Sequence, residues 1–415
     1  MERFQGIFGL ILILGLAYAL SNNKKRINVR LVVSGLLLQL VIAITVLRIP
    51  PVTRFFQFLG HGMEKIEQFA RQGAAFVYGG LMVDNFKGGS NNFVQGGFVF
   101  AFSVTATIIL VCVLVAILYH LGVMQKVVSL IAKAMNFIMK VSGAEALSNV
   151  ASAFVGQVEA QVMIRPYLAT MTRSELLASM SGSLACIAGG ILIVYVNMGA
   201  KAEYLLTASL MAAPGALVIS KIIFPETEES QTMGDVKLEV KSPYTNVIDA
   251  ISHGASDGMK ISVNVIAMLI GFISLIAFLN YILTLFGGLF NLSEPLTLDF
   301  IFGKLFYPFA WAMGVNASEA SSVATLLGKK LTINEFVAFQ DLTNNYKGIL
   351  SDRAVMIVSF AICGFANFSS VGMQIGGIGE LAPSRRADLA SLGIKALICG
   401  TLASYLSATI AGLIN

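Results

Sequence analysis

The chain has 415 residues, 56% hydrophobic and 12% charged, with a formal net charge of +5 at pH 7. A mean hydropathy of +0.79 excludes a soluble globular domain and marks a polytopic membrane protein. The basic residues cluster in short connectors and form no stripe interleaved with aromatics, which argues against nucleic acid as a partner.

A spanning helix needs roughly 20 mostly apolar residues, and the sequence offers eight such segments, at about 4–20, 31–48, 97–122, 174–197, 203–224, 259–286, 354–379 and 389–414. The run from Gln5 to Leu20 is followed by basic residues and by no small-residue cleavage site, so it reads as the first span and not as a signal peptide. Lys24, Lys25, Arg26 and Arg30 crowd the first connector, and Arg385 and Arg386 the last; the positive-inside rule places both in the cytoplasm and both termini outside. The acidic 225–247 stretch, with Glu226, Glu228, Glu229 and Asp235, is then cytoplasmic. Arg54, Lys65, Arg71, Lys329 and Lys330 fall on the outer side. Amphipathic pieces at Arg54–Ala70 and Ser129–Met139 read as interfacial helices. Phe306, Tyr307, Phe309 and Trp311 read as an interfacial aromatic belt, and His61, His120 and His253 as interfacial side chains without metal-ligand spacing. Cys112, Cys186, Cys363 and Cys399 sit in apolar stretches with no CxxC spacing, the pattern of free buried thiols.

Two segments, 124–172 and 315–350, do not fit as spans. Each holds a broken pair of short apolar helices: Ala146–Val155 then Gln157–Leu168, and Ser318–Leu327 then Leu331–Leu342. They read as re-entrant hairpins, because irregular backbone at membrane depth survives only where it lines a cavity or packs in protein. The first enters from the cytoplasm and the second from outside, and each is followed by two spans. That inverted repeat is the plan of secondary transporters. The expected fold is therefore all-α and polytopic: eight transmembrane helices, two opposed re-entrant helical hairpins, and interfacial helices. Residues 1–123 would hold scaffold spans and an interfacial helix, 124–224 the first transport repeat, 225–314 a cytoplasmic loop, scaffold span six and an interfacial helix, and 315–415 the second repeat. The spans after the hairpins carry helix-weakening clusters, Cys186-Ile187-Ala188-Gly189-Gly190 and Gly364-Phe365-Ala366-Asn367-Phe368-Ser369-Ser370.

Two carboxylates stand out at bilayer depth, Glu159 and Glu335. An ionisable group there costs roughly 2.5–3.5 kcal/mol on insertion scales and normally faces a cavity, a partner or a substrate. Gln157, a donor and acceptor, with Glu159, an acceptor, can read the edge of a heterocyclic base; the alternative is that they tie the hairpin to a neighbouring helix. Glu335 can accept from both hydroxyls of a ribose cis-diol, with Asn367 and Ser370 completing the shell; the alternative is helix capping. No HExxH, GxSxG, P-loop or Rossmann fingerprint is present, so the chain does not read as an enzyme.

The chain resembles the concentrative nucleoside transporter family at Phe154-Val155-Gly156-Gln157-Val158-Glu159-Ala160, Ile164-Arg165-Pro166-Tyr167-Leu168, Asn334-Glu335-Phe336-Val337-Ala338, Cys363-Gly364-Phe365-Ala366-Asn367-Phe368-Ser369-Ser370 and Gly393-Ile394-Lys395-Ala396-Leu397. The resemblance covers nearly the whole sequence. It implies a bacterial eight-span protomer of the cytoplasmic (inner) membrane, assembled as a homotrimer and importing nucleosides with a coupling cation by elevator-like motion, without a cofactor. It also implies that Gln157, Val158 and Glu159 face the base, that Ile191 packs against it, and that Glu335, Asn367 and Ser370 bind the ribose. The cation site would fall on Ser152, the carbonyls of Val155 and Ile187, and Cys186. Sodium-coupled members carry Asn where Ser152 stands and a serine hydroxyl where Cys186 stands, and a thiol suits a hard cation poorly. Proton symport is therefore open beside Na+, with Glu159 or Glu335 as the carrier. Val158 stands where the family usually has Thr or Ser, which removes a hydroxyl contact to the base. A nucleoside-binding channel or receptor without active transport is the competing reading.

Overall fold

Helices form here along the apolar runs, the one over Ala202–Ile223 carrying Pro214 in its interior, and many of them stop where a side chain or a glycine offers the backbone another partner. The structure is a computed structural model that describes residues 2–79, 100–233, 244–289 and 295–415. Residues 97–99 of the third expected span and Asp235 lie outside the described residues. Among the described residues the regular structure is helical, with no strand.

The first helices are α1 (Glu2–Ala19), α2 (Val29–Arg48), α3 (Pro50–Tyr78), α4 (Phe100–His120) and α5 (Val123–Met139). The first hairpin segment gives α6 (Gly143–Ser152), α7 (Glu159–Val162) and α8 (Arg165–Leu168), followed by α9 (Arg173–Ala185), α10 (Gly189–Asn197) and α11 (Ala202–Ile223). Then come α12 (Val247–Leu289), α13 (Leu298–Leu305) and α14 (Tyr307–Ala312). The second hairpin segment gives α15 (Ala320–Thr332) and α16 (Glu335–Asn344), followed by α17 (Asp352–Ile362), α18 (Phe368–Leu381) and α19 (Arg386–Ile414).

Among the described residues, four stretches are long and apolar enough to cross a membrane: Val29–Arg48, Arg173–Asn197, Ala202–Ile223 and Pro383–Ile414. A fifth arises if Val104–His120 and Val123–Met139, bent by 75°, count as one. Gln5–Ala19 and Ile273–Leu289 are shorter apolar helices. The expected 259–286 span lies inside the 43-residue α12, and the 354–379 span is two helices, α17 and α18.

Helix bounds inside the hairpin segments differ from expectation, each for a local reason. α6 begins at Gly143 because Ser142 and Glu145 form a reciprocal capping box, Ser142 N–H donating to Glu145 Oε1 at 2.9 Å and Glu145 N–H to Ser142 Oγ at 3.3 Å. The expected Gln157–Leu168 helix is two single turns: the chain leaves helical geometry at Ile164 (φ −110°, ψ 10°), and Pro166 sits in the first turn of α8, where its missing N–H would have no partner anyway. α15 runs through the expected break at 328–330 to Thr332. Gly328 is instead a close-approach residue, where a Cβ would stand 2.3 Å from Phe302 Cγ. The turn falls one step later, at Asn334, whose side chain accepts from Val337 N–H at 2.9 Å and starts α16.

α19 is the central helix, packed by α1, α9, α11, α17 and α18, while α2 lies along α11. Glycines let it approach its neighbours: a Cβ on Gly400 would meet Leu184 Cβ at 2.8 Å, and one on Gly412 would meet Met313 O at 2.9 Å. Close backbone approach through small residues is how helices gain packing energy when lipid is as apolar as the partner. α4 and α12 form a separate tight pair, with α3 against α4.

Two helix breaks meet inside this packing. α9 and α10 are interrupted over 186–188, α17 and α18 over 363–367. Phe365 N–H donates to Cys186 O at 3.3 Å, so an amide freed by one break satisfies a carbonyl freed by the other. Gly364 makes this possible with φ +149°, and a Cβ there would lie 2.5 Å from Ala185 O. Gly364→Ala should therefore lower stability by roughly 1–3 kcal/mol through overpacking and backbone strain. Thermal unfolding of the detergent-purified protein reads this, with Gly15→Ala as control because nothing lies within 4 Å of a Cβ at that position. Equal melting temperatures for the two variants would contradict the account.

Candidate functional site

Glu335 opens α16, and Asn334 before it is the cap that orients that first turn. The carboxylate is 6% exposed. Its Oε1 accepts from the Tyr195 hydroxyl at 3.0 Å and its Oε2 from Asn367 Nδ2 at 3.1 Å. Tyr195 comes from α10 and is held in place by stacking on Phe339, with ring centroids 4.5 Å apart. Asn367 is the N-cap of α18, and its Oδ1 accepts from Ser370 N–H at 2.8 Å. One amide thus starts α18 with its oxygen and fixes Glu335 with its nitrogen. Two donors leave part of the acceptor capacity of an ionised carboxylate unused. Ser370 is buried beside this cluster at the start of α18.

Glu159 opens α7 and turns back over the hairpin tip, so that a Cβ on Gly156 would lie 1.9 Å from Glu159 Oε2. Glycine is required where a carboxylate passes this close. The side chain stays exposed on a cavity of about 310 Å³ walled by the tip (Phe154, Val155, Gly156 and Glu159), the start of α10 (Ala188, Gly190 and Ile191), α4 and α12. Ile191 and Glu159 share this cavity, and Glu335 is not among its walls. The two carboxylates therefore occupy separate clusters joined by α10, which supplies Ile191 to one and Tyr195 to the other. Gln157 turns toward α18: its Oε1 accepts from Gln374 Nε2 at 3.4 Å and its Nε2 faces Met373 S at 3.8 Å. Val158 packs on α18 as well, where a Cβ on Gly377 would meet Val158 Cγ1 at 2.6 Å.

Around the expected cation residues the structure places a buried hydroxyl and amide network. Ser152 Oγ donates to Ser148 O at 2.8 Å and lies 2.8 Å from Ser183 Oγ. Gln161 ties the rest together, donating to Ser183 Oγ at 2.8 Å and accepting from Ser179 Oγ at 2.6 Å. The Cys186 thiol faces the carbonyls of Ser209 at 3.9 Å and Asn149 at 4.0 Å. The carbonyls beside Val155 and Ile187 accept amides, Phe154 O from Gly189 and Cys186 O from Phe365, both at 3.3 Å.

Several participants carried no signal in the sequence. Tyr195 is one aromatic in an apolar run. Tyr119, Tyr244 and Asp257 reach the cavity from α4, the 244–246 connector and α12, and only the three-dimensional path of the chain brings them there. Gln161 and the serines of α9 look like ordinary small polar residues until they are seen to bond one another. Of the three histidines, His61 and His253 are exposed, with His253 3.5 Å from Asp249. Of the aromatics read as a belt, Tyr307, Phe309 and Trp311 are half-buried; Trp311 packs edge-on to the exposed Phe8 at 5.8 Å and Phe309 against Tyr405 at 5.7 Å.

Comparison with known proteins adds the family. The models described as Na+ dependent nucleoside transporter N-terminus and C-terminus match residues 8–81 and 204–412, and one described as nucleoside recognition gate matches 101–202. An uncharacterized transporter of Haemophilus influenzae is 41% identical, covering 100% of this chain and 98% of its own. The nucleoside permease NupC of Helicobacter pylori is 38% identical over 98% of this chain and 96% of its own. Sodium/nucleoside cotransporter 1 of Rattus norvegicus is 37% identical over 100% of this chain and 64% of its own. Among solved structures, CNTnw in an inward-facing substrate-bound state superposes with a TM-score of 0.92 at 40% identity, covering 100% of this chain and 98% of that one. The multiple apolar helices are those of an integral membrane protein, and the chain belongs to the Na+-dependent, concentrative nucleoside transporter family.

Proposed function

We propose that this chain is a cation-coupled nucleoside symporter that imports nucleosides across the cytoplasmic membrane by elevator-type alternating access, as a homotrimer of eight-span protomers with two opposed hairpins. The strongest support is the cavity at the first hairpin tip. It lies between the α4–α12 pair and the part of the molecule gathered on α19, with Glu159 on one wall and Asp257 of α12 on another. A site at such a border is carried past a stationary wall when one part slides along the other. The related CNTnw has been solved inward-facing with substrate bound, and substituted forms of it outward-facing and in an intermediate state, which supports the same repertoire here.

In this reading the base enters the cavity against Ile191 and is read by Glu159 and Gln157. The ribose diol takes the free acceptor positions of Glu335, with Asn367 and Ser370 as its neighbours. Val158 is directed to α18 and contributes packing on the base side. The close pairing of α4 with α12 supports a division in which these two form the frame. Residues 124–224 and 315–415 move as the two transport repeats, and α1 and α2 travel with them because they are packed on α19 and α11. This regroups the first two spans, which the sequence assigned to the scaffold within 1–123.

The family is described as Na+-dependent, yet the local chemistry favours a proton. Ser152 donates its hydroxyl proton to Ser148 O, and the thiol of Cys186 is a soft group where a hard cation wants oxygen. Glu159, exposed on the cavity, is then the carrier, and the proton crosses on its carboxyl oxygen.

Accumulation of labelled uridine or adenosine in proteoliposomes should persist when sodium is replaced by choline at fixed pH, and should rise with an inwardly directed proton gradient. Strict sodium dependence with no response to a pH step would return the coupling to Na+; equilibration without accumulation would make the protein a channel. Asn367→Asp keeps the helix cap and removes the nitrogen donor while adding a charge beside Glu335. It should leave the folded protein intact and weaken nucleoside binding by at least about tenfold, the loss of a hydrogen bond to a charged group being worth roughly 1.5–3 kcal/mol. Glu335→Ala should abolish uptake. Wild-type affinity in both variants would move the cluster back to a structural role.

A further inference from the structure

Gln374 and Gln157 meet where α18 passes the first hairpin tip. Gln374 is 0% exposed and Gln157 8%. The amide nitrogen of Gln374 donates twice, to the backbone carbonyl of Met180 on α9 at 3.2 Å and to Gln157 Oε1 at 3.4 Å. The bond to Met180 decides which way round the two amides run. A carbonyl can only accept, so the Gln374 nitrogen points to it, and the second hydrogen on that nitrogen is left for Gln157, which answers with its oxygen. Turning Gln374 over would set two acceptors face to face, and turning Gln157 over would set two donors face to face.

With its oxygen on Gln374, Gln157 has its nitrogen facing Met373 S at 3.8 Å. A thioether is a weak acceptor, so an oxygen or ring nitrogen of a bound base displaces it at little cost. Val158 holds the same stretch of tip against α18, at Gly377. Gln374 also carries a mark of a residue kept for something other than stability. Its Oε1 is buried with no hydrogen-bond partner among the described residues, a condition that costs a fold free energy and that an apolar side chain of similar length would avoid.

We propose that Gln374 is a positioning residue for base recognition: anchored on the Met180 carbonyl, it holds the Gln157 amide one way round, so that Gln157 meets the base as a hydrogen-bond donor and selects nucleosides with an acceptor on that edge. The proposal rests on Gln157 reading the base, and the test separates the two. Equilibrium binding is measured on the detergent-purified full chain for cytidine against 3-deazacytidine and for adenosine against 1-deazaadenosine, the pair with the tighter parent deciding. Each analogue replaces a ring acceptor by C–H and keeps the exocyclic amine. Wild type should prefer the parent by at least about fivefold, because the analogue traps a fixed donor without a partner. Q157L should bring that preference to within about twofold. Q374M and Q374L should do the same, because a released amide turns away from the C–H and escapes the penalty. Added to Q157L, Q374M should change neither ligand by more than about twofold, since its effect runs through Gln157. Both Gln374 variants should melt no lower than wild type by more than a few degrees, as each removes a buried acceptor that has no partner.

A preference lost in Q157L and kept in Q374M and Q374L would overturn the role of Gln374 and leave Gln157 on the base. Equal weakening of parent and analogue by Q374M, repeated in the Q157L background, would reduce Gln374 to packing. A wild type without the preference, or a preference that survives in Q157L, would overturn the base reading and the proposal together.

Discussion

The structure depends on two interrupted helices that satisfy one another where water cannot. A break in a membrane helix frees amides and carbonyls that cost several kcal/mol each if left alone in an apolar setting. Here the break at 186–188 and the break at 363–367 lie against each other, joined by the Phe365 amide on the Cys186 carbonyl and brought close by Gly364 over Ala185. Everything polar in the site is arranged outward from that contact. The breaks end α9 and α17 and let α10 and α18 begin afresh. Ile191 and Tyr195 sit on one new helix, and Asn367 and Ser370 at the start of the other.

Glu335 shows how such an arrangement makes a carboxylate useful. Tyr195 and Asn367 hold its two oxygens with neutral donors, and Asn367 is itself fixed by capping α18. If Glu335 takes the ribose as proposed, its carboxylate is already oriented, so little ordering entropy would be lost on binding. Glu159 is built the other way: it bends over Gly156 at a turn and faces an open cavity. An enclosed, oriented acid suits fixed recognition. In the proposed transport cycle, an acid exposed on such a cavity is the one that can load and release a proton.

Much of this was legible in the sequence because polar atoms are conspicuous in an apolar chain. Glu159, Glu335 and Asn367 stand out for that reason, and both helix breaks announce themselves through glycine and asparagine clusters. Misread features share a different cause, since each depends on what lies across a packed interface. Gly328 looks like a helix break and is a seat for Phe302. Lys330 looks like the twin of Lys329 and is buried while Lys329 is paired at a carboxylate pair. Tyr195 is indistinguishable in sequence from any span aromatic until its hydroxyl is placed on Glu335. The expected Gln157–Leu168 helix is in fact interrupted at Ile164, just before Pro166 opens the second of its two turns.

The most direct test of the central claim is a structure of the nucleoside-bound protein in a lipid nanodisc. The account predicts both ribose hydroxyl oxygens within about 3 Å of the Glu335 carboxylate, that carboxylate still held by Tyr195 and Asn367, and the base against Ile191 with its edge toward Glu159. A nucleoside seated with its ribose away from Glu335, or bound at a site that neither carboxylate borders, would contradict it.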